Sequence, residues 1–432
     1  MLKGSTPHSR FKSLSLAKSS NVPLLGRTRL MAHLQQLAVP LAPTTNYPKL
    51  SAFFSSQLWP WIWNYLKGMF RGRYKPYPTY ASDGRDGVYT LRTSNNCDPI
   101  KIAIAGDWGT GTFEAFEVAA KMSDSDPDYT IHLGDVYYVG DGREVQENFL
   151  GENADQFTPV KFPKGAVGTF ALLGNHEMYG GGQPYFTEMI GSSGYCDTGA
   201  GEKQKASFFC LETPYWRIIG LDTGYNSVGT PILGSIPFIK KIPWFGANCE
   251  LRPELLSWLS TNVKPQQNEK ATLLLSHHQY YSVYEQAYGR PAEQLKDLFA
   301  GQKVVWLWGH EHRLSIYDEY SPDQNVICYG RCLGNGGMPV ELEVTGKAPP
   351  LLFQDPRGLP NGEIGSNQYA VGDGTYAGWN GFLNLTLNLR TMTIDYFDLN
   401  NIKLFSESFD GNADGSLTYT LLSHPVLQEP AK

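Results

Sequence analysis

Five runs of apolar residues mark the middle of the chain, each five or six residues long and each ending abruptly in polar side chains. They are 101–105 (KIAIA), 129–133 (YTIHL), 169–173 (TFALL), 271–275 (ATLLL) and 303–308 (KVVWLW). None alternates strictly between apolar and polar, so each reads as a strand covered on both faces, the parallel type of an α/β sheet. Helical patterns lie between them at 113–122 and at 252–263, the second with Pro253 in its first turn. Residues 345–381, rich in Gly and Pro, read as a long irregular loop, and the alternating run 382–396 as antiparallel strands completing a second sheet. No repeat of solenoid period is present.

Length and composition set bounds. A chain of 432 residues allows two or three domains, or one large one with extensions. With 41% hydrophobic and 18% charged residues it is neither a disordered chain nor a coiled coil. The net charge of −6 provides no general case for a nucleic-acid partner. That charge is unevenly spread: eleven Lys or Arg precede the first acidic residue, Asp83, and the remainder holds 25 basic against 42 acidic residues.

The expected organisation is therefore a basic extension over 1–95, a catalytic domain over 96–410 and a tail over 411–432. The extension lacks the apolar core of a secretory signal, and its acid-free, Ser-rich start suits organelle targeting or a membrane-surface arm. Within it, residues 50–66 are uncharged and hold Trp59, Trp61 and Trp63, with Lys67, Arg71 and Arg73 following. Seventeen residues interrupted by Pro60 are short for a span, whereas Trp beside Lys and Arg suits the headgroup layer. Peripheral membrane contact through residues 50–75 is one expectation, and packing of these rings on the catalytic domain is the other. The six cysteines show no zinc-ribbon spacing; Cys196 with Cys210 and Cys328 with Cys332 are possible pairs, and isolated buried thiols are the alternative.

The polar signatures at the five strand ends carry the chemistry. They are GDWG, GDVYY, GNHE, SHH and GHEH, and they deliver Asp107, Asp135, Asn175, His277, His310 and His312. In α/β sheets ligands bind outside the carboxyl ends of strands. One Gly-Asp turn there is ordinary turn chemistry; five such endings in succession are not. Carboxylates, imidazoles and an amide without thiolate suit Fe, Mn, Zn or Ni. They are too many for one tetrahedral ion and sufficient for two, with a central Asp able to bridge ions roughly 3.5–4 Å apart.

In this order the signatures resemble the metallophosphoesterase superfamily, and in their details the purple acid phosphatases. The superfamily usually opens with Asp-x-His, and here Gly109 stands in place of that His. The purple enzymes substitute a Tyr three residues after the second Asp, and Tyr138 stands there. The resemblance covers roughly residues 98–320. It implies an α/β four-layer sandwich of two mixed sheets flanked by helices. It also implies two metal ions: Fe(III) held by Asp107, Tyr138 and His312, and a divalent Fe, Zn or Mn held by Asn175, His277 and His310, with Asp135 bridging. Strand alternation and the family pattern both favour His277 over His278 as ligand, leaving His278 as a candidate substrate-pocket residue. In extended geometry Tyr137 would face away from Tyr138. Gln279 departs from the Pro many relatives carry, which bears on loop stiffness.

The function so implied is phosphoester hydrolysis by a metal-activated hydroxide, with His176 as the general acid for the leaving alkoxide; the rival role for His176 is to orient the phosphate. Glu177 is expected to hydrogen-bond behind the ligands. A phosphomonoesterase, an acid phosphatase in type, is favoured over a phosphodiesterase, and a non-catalytic interaction module is the remaining alternative. Asp222 is a candidate support for the site, Gly180–Gly182, Tyr225, Asn226 and Tyr280 are candidates for its rim, and Arg331 is either a phosphate holder or a solvent-exposed charge.

Overall fold

A computed structural model describes Trp63, 72–82, 84–94, 99–152, 159–228, 248–267, 269–340, 348–355, 357 and 378–424. The strands are β1 (Val88–Thr90), β2 (Ile100–Ala105), β3 (Tyr129–His132), β4 (Gly168–Ala171), β5 (Phe209–Glu212), β6 (Trp216–Gly220), β7 (Ala271–Ser276), β8 (Lys303–Trp308), β9 (Leu314–Tyr320), β10 (Ile327–Leu333), β11 (Leu351–Gln354), β12 (Gly381–Asn388), β13 (Thr391–Asp398), β14 (Lys403–Gly411) and β15 (Leu417–Ser423). They form two mixed sheets, an eight-stranded one in the order β1-β5-β6-β7-β8-β10-β9-β11 and a seven-stranded one in the order β15-β14-β13-β12-β2-β3-β4.

The five apolar runs are all strands, divided between the sheets. β2, β3 and β4 are parallel neighbours in the seven-stranded sheet. β7 and β8 are parallel neighbours in the eight-stranded one. Both faces of these strands are covered, which is why their sequences do not alternate. Ile102 and Ile104 of β2 join Leu273 and Leu275 of β7 in the core between the sheets. The intervening Ala103 and Ala105 join Ala115, Val118 and Met122 of helix α1 (Phe113–Asp124) in a second core. Leu274 of β7 joins Trp306 and Trp308 with Leu255 and Trp258 of a later helix (Pro253–Trp258) in a third. Helices, sheet, sheet and helices thus make four layers, and the two parallel strand sets end at the seam between the sheets.

The folded unit exceeds both expected boundaries. β15 pairs with β14 along Gly411 to Ser406, so residues 417–423 are the sheet's edge strand rather than a tail. At the other end β1 pairs with β5, and Tyr80 is buried with its hydroxyl donating to the Phe208 carbonyl. Tyr74 and Tyr77 pack on Phe186. The aromatic residues at 74–80 therefore belong to the domain, because they complete its aromatic core. Arg73, expected at a headgroup layer, instead donates to Asn226 Oδ1 at 2.8 Å within the domain; the rest of the membrane-arm expectation lies outside the described residues, apart from Trp63, whose ring is exposed. Among the described residues no helix is long and apolar enough to cross a membrane.

One further expectation is corrected, and of the two cysteine readings the isolated buried thiols hold. Arg331 is neither exposed nor a phosphate holder. It lies fully buried on β10 and forms a two-pronged ion pair with Glu407 on β14, at 2.6 Å for each bond, tying one sheet to the other. Cys196, Cys210, Cys328 and Cys332 are buried free thiols, and burial pushes the Cys328 thiol up to about 12.

Candidate metal centre

Six of the seven expected ligands converge where the parallel strands end. The loop after β2 presents Asp107, the loop after β3 Asp135, and the loop after β4 Asn175, at the start of helix α3 (Asn175–Tyr179); helix α2 (Gly142–Asn148) precedes it. From the other sheet β7 presents His277, and the loop after β8 presents His310 and His312. Three of these six sit in left-handed backbone, Asp107 at φ 55°, Asp135 at φ 75° and His310 at φ 68°. Such conformations cost about 1–3 kcal/mol each and persist only where the surroundings over-determine them. Here neighbouring groups do so: Asp107 Oδ2 accepts from the His310 amide at 2.6 Å, and Asp135 Oδ1 accepts from the His176 amide at 2.9 Å. Glycine is required at 174, where a Cβ would stand 2.1 Å from Asp135 Oδ1. It is also required at 109, where a Cβ would stand 2.8 Å from the Asp135 carbonyl, so this backbone has no room for the superfamily's usual His.

The ligands fall into two groups joined by one carboxylate. Asn175 Oδ1 lies 3.0 Å from His277 Nε2 and 2.8 Å from His310 Nδ1, and these two nitrogens are 3.2 Å apart. The Asn175 amide donates to Tyr179, which turns its oxygen inward. On the other side His312 Nε2 lies 3.4 Å from Asp107 Oδ1. Asp135 Oδ2 stands between, 3.2 Å from His277 Nε2 and 3.2 Å from the Tyr137 hydroxyl. The six candidate ligands and Tyr137 are at most 6% exposed.

This donor set fits cations. His277 Nδ1 is 3.0 Å from the Leu133 carbonyl, so that nitrogen carries the ring proton. The lone pair of Nε2 is then aimed at the oxygens of Asn175 and Asp135, an arrangement of acceptors that calls for positive charge among them. A second proton on Nε2 answers the same call: burial opposes charging His277, yet Asp135, Asp107 and Glu177 together push it up to about 9. Asp107 shows the complementary effect: burial resists its ionisation, but His312 and His277 hold it below its usual range. Asp107, Asp135 and His277 are grouped closely enough to share an ion, as are His277, His278 and His310.

A second phenol, beside the expected one, reaches the candidate ligands. Tyr137 places its hydroxyl 2.7 Å from Asp107 Oδ1, 3.2 Å from Asp135 Oδ2 and 3.1 Å from His312 Nε2. The Tyr138 hydroxyl is buried as well, and its backbone is fixed, the amide donating to Glu144 and the carbonyl 2.6 Å from His176 Nδ1. The alternation rule fails because the segment is a turn, not a strand, from Tyr137 to Val139.

His176 Nδ1, facing that carbonyl, bears the proton, and the ring sits 4.3 Å from the Tyr137 ring with Nε2 3.8 Å from Asp135 Oδ2. His278 takes 3.1 Å contacts from its amide and Nδ1 to Thr223 Oγ1, and its ring lies 4.4 Å from His310. Tyr288, half-buried and 5.1 Å from His278, joins this cluster although its surroundings in the sequence show no motif.

Glu177 and Glu144 act on the backbone beneath the ligands. Glu177 accepts from the amides of Asp135, Val136 and Gly174. Glu144 accepts from those of Tyr138, Val139 and Asp141. Burial, reinforced by Asp135 for one and Asp141 for the other, pushes both carboxyls up to about 8. Glu144 escaped the sequence reading, but its signal is there: Asp141 and Glu144 form a capping box at the start of α2. Asp222 accepts from Tyr77, Ser207 and the amides of Gly224 and Tyr225, supporting a loop rather than the ligands. Tyr225, Asn226 and Tyr280 bond to the backbone at Tyr74, Glu250 and Pro322, so they serve packing instead of the rim.

No curated protein matches the chain. Among solved structures it is similar to GAP50, the anchor in the inner membrane complex of Plasmodium, at 13% identity and TM-score 0.46, over 74% of this chain and 91% of that one. It is also similar to purple acid phosphatase PPD1 from yellow lupin seeds, at 14% identity and TM-score 0.38, over 72% of this chain and 53% of that one. The family model for calcineurin-like phosphoesterases matches residues 100–314, which span the seven-stranded sheet's three ligand loops and both ligand loops of the eight-stranded sheet, and this segment is a metallophosphoesterase domain.

Proposed function

We propose that the chain is a dimetal phosphoester hydrolase, and in particular a phosphomonoesterase of the acid phosphatase type. The observation carrying this reading is the convergence of Asp107, Asp135, Asn175, His277, His310 and His312 into two donor groups joined by Asp135 Oδ2. Asp107, Tyr138 and His312 would hold one ion, Asn175, His277 and His310 the other, with Asp135 shared; Fe(III) suits the first and Fe, Zn or Mn the second. When bound, two cations neutralise the phosphate oxygens and lower the pKa of a water enough for it to act as nucleophile near neutral pH.

The chain's own residues supply the rest. Leu133 fixes the ring proton of His277 on Nδ1 and keeps its Nε2 lone pair inward. Glu177 holds the amides of Asp135 and Gly174, so the bridging carboxylate and the start of α3 stay in register. His176, its Nδ1–H held by the Tyr138 carbonyl and its ring beside Asp135, would give a proton from Nε2 to the leaving oxygen in its doubly protonated form and become the neutral Nδ1–H ring. His278, steadied by Thr223, is the candidate contact for the substrate.

The test is metal analysis of the purified protein combined with paired rates on a chromogenic phosphate monoester and diester. Two ions per chain with faster monoester turnover supports the reading. A faster diester rate moves the function to a phosphodiesterase, and two bound ions with no turnover of either makes the domain an interaction module. Peripheral membrane contact by residues 50–75 is a separate proposal, supported by their composition. Removing residues 1–71 should weaken binding to anionic vesicles and leave hydrolysis intact; unchanged vesicle binding would end that idea.

A further inference from the structure

We infer that Glu144 is a positioning residue for His176, acting through the one peptide group that joins Tyr138 to Val139. The inference rests on the dimetal reading above, with His176 as the proton donor, and deepens it.

The Glu144 carboxyl is buried at the start of α2 and receives three amides on two oxygens. Tyr138 donates to Oε1 at 2.5 Å, and Val139 and Asp141 donate to Oε2 at 2.8 and 3.3 Å. The Val139 bond is the informative one. That N–H shares its peptide plane with the Tyr138 carbonyl, and across this trans bond the two point in opposite directions. Glu144 Oε2 holds one end of the plane, and His176 Nδ1 lies 2.6 Å from the other. Carboxyl, peptide and imidazole thus form a single hydrogen-bonded row, in which each bond polarises the next.

The flanking peptides are held by other groups. The Tyr137 carbonyl accepts from Asn148 at 3.0 Å, and the Val139 carbonyl accepts from the Gly180 amide at 3.0 Å. Glu144 and Asn148 are four residues apart, so α2 grips the turn with one face. Val139 and His176 are both buried. An amide in such a place is costly to leave without an acceptor, so the peptide that loses Glu144 turns to find another. The same turn takes the Tyr138 carbonyl away from Nδ1. His176 then loses the contact that orients its ring and keeps Nε2 3.8 Å from Asp135 Oδ2.

The experiment measures kcat on an alkyl phosphate and on nitrophenyl phosphate for the full chain, for Glu144→Met, for His176→Ala and for the double variant, with metal content determined on the same samples. Glu144→Met should lose about tenfold on the alkyl ester and less than about threefold on nitrophenyl phosphate, whose leaving group needs no proton, with metal content intact. In the His176→Ala background the same change should cost less than about twofold on the alkyl ester, because the group it positions is gone. A merely structural role would lower both substrates alike and persist without His176; either result overturns the inference and leaves the phosphatase reading standing. Loss of an ion from Glu144→Met also overturns it, by assigning the residue to the ligands. A wild type that binds no metal and hydrolyses neither ester removes both together. Should Glu144→Met fail to fold, replacing Val139 by its α-hydroxy acid removes only the N–H in the row; the alkyl ester should again lose more than nitrophenyl phosphate, and equal losses or none would refute the role.

Discussion

The two sheets contribute opposite chemistry to the seam between them. The seven-stranded sheet provides oxygen: Asp107, Asp135 and Asn175 follow its parallel strands β2, β3 and β4, and the Tyr137 hydroxyl comes from the same side. The eight-stranded sheet provides nitrogen: His277, His310 and His312 follow β7 and β8. Neither sheet alone supplies all six of these candidate ligands. The centre is therefore a property of how the sheets face each other, and a bound ion would act as a staple across that face. A second inter-sheet tie, Arg331 with Glu407, is built from fully buried protein charges alone.

Severing the shared oxygen breaks the comparison most directly. Asp135→Asn should lower kcat/KM by about ten-thousand-fold, near 5.5 kcal/mol, and reduce bound metal, because a neutral amide cannot serve two cations. Retention of two tightly held ions with near-normal turnover would sink the bridging role.

The protein-only tie should behave differently. Glu407→Leu strands the Arg331 guanidinium and should cost about 3–5 kcal/mol in urea unfolding, whereas Arg331→Met combined with Glu407→Leu should recover most of that loss. Metal affinity of the folded fraction should not change in either variant. If the double variant is as unstable as the single one, packing and not charge is what joins the sheets there.

Chelation sharpens the contrast between the two ties. If ions span the seam, adding metal at about a hundred times its Kd should stabilise the protein by ~2.7 kcal/mol, read as a rise in Tm over the chelated form. The same titration on Asp135→Asn should show a much smaller rise; an equal one would place the stabilising ion elsewhere.

The smallest effect concerns the donor that lies on the oxygen side yet holds no ion. His176→Ala should lower kcat about a hundredfold for alkyl phosphates with metal content intact, and by less than about tenfold for nitrophenyl phosphate, whose leaving group needs no proton. An equal loss for both substrates would assign His176 to phosphate positioning.

How much of this was legible from residues alone differs by region. The five apolar runs and their polar endings located every strand that bears a ligand, since a run covered on both faces leaves a continuous apolar signal. Their division between two sheets did not show, because a strand's sequence reports its burial and not its neighbour. The end of the domain was misplaced for a related reason: the burial pattern of β15 exposes Leu421 and Leu422, so the strand resembles a tail by composition. Arg331 could not be recognised as buried, for its partner lies 76 residues further along the chain.

The ligand types, their order and the family they belong to were determined by the sequence itself, because each sits at the end of an apolar run and needs only its own strand to be placed. The place of the Tyr137 hydroxyl, against Asp107, Asp135 and His312, was decided only by the tertiary structure. Adjacent residues differ in direction according to backbone torsion, and here that torsion is set by Glu144, Asn148 and Glu177, side chains that reach the loop from other elements.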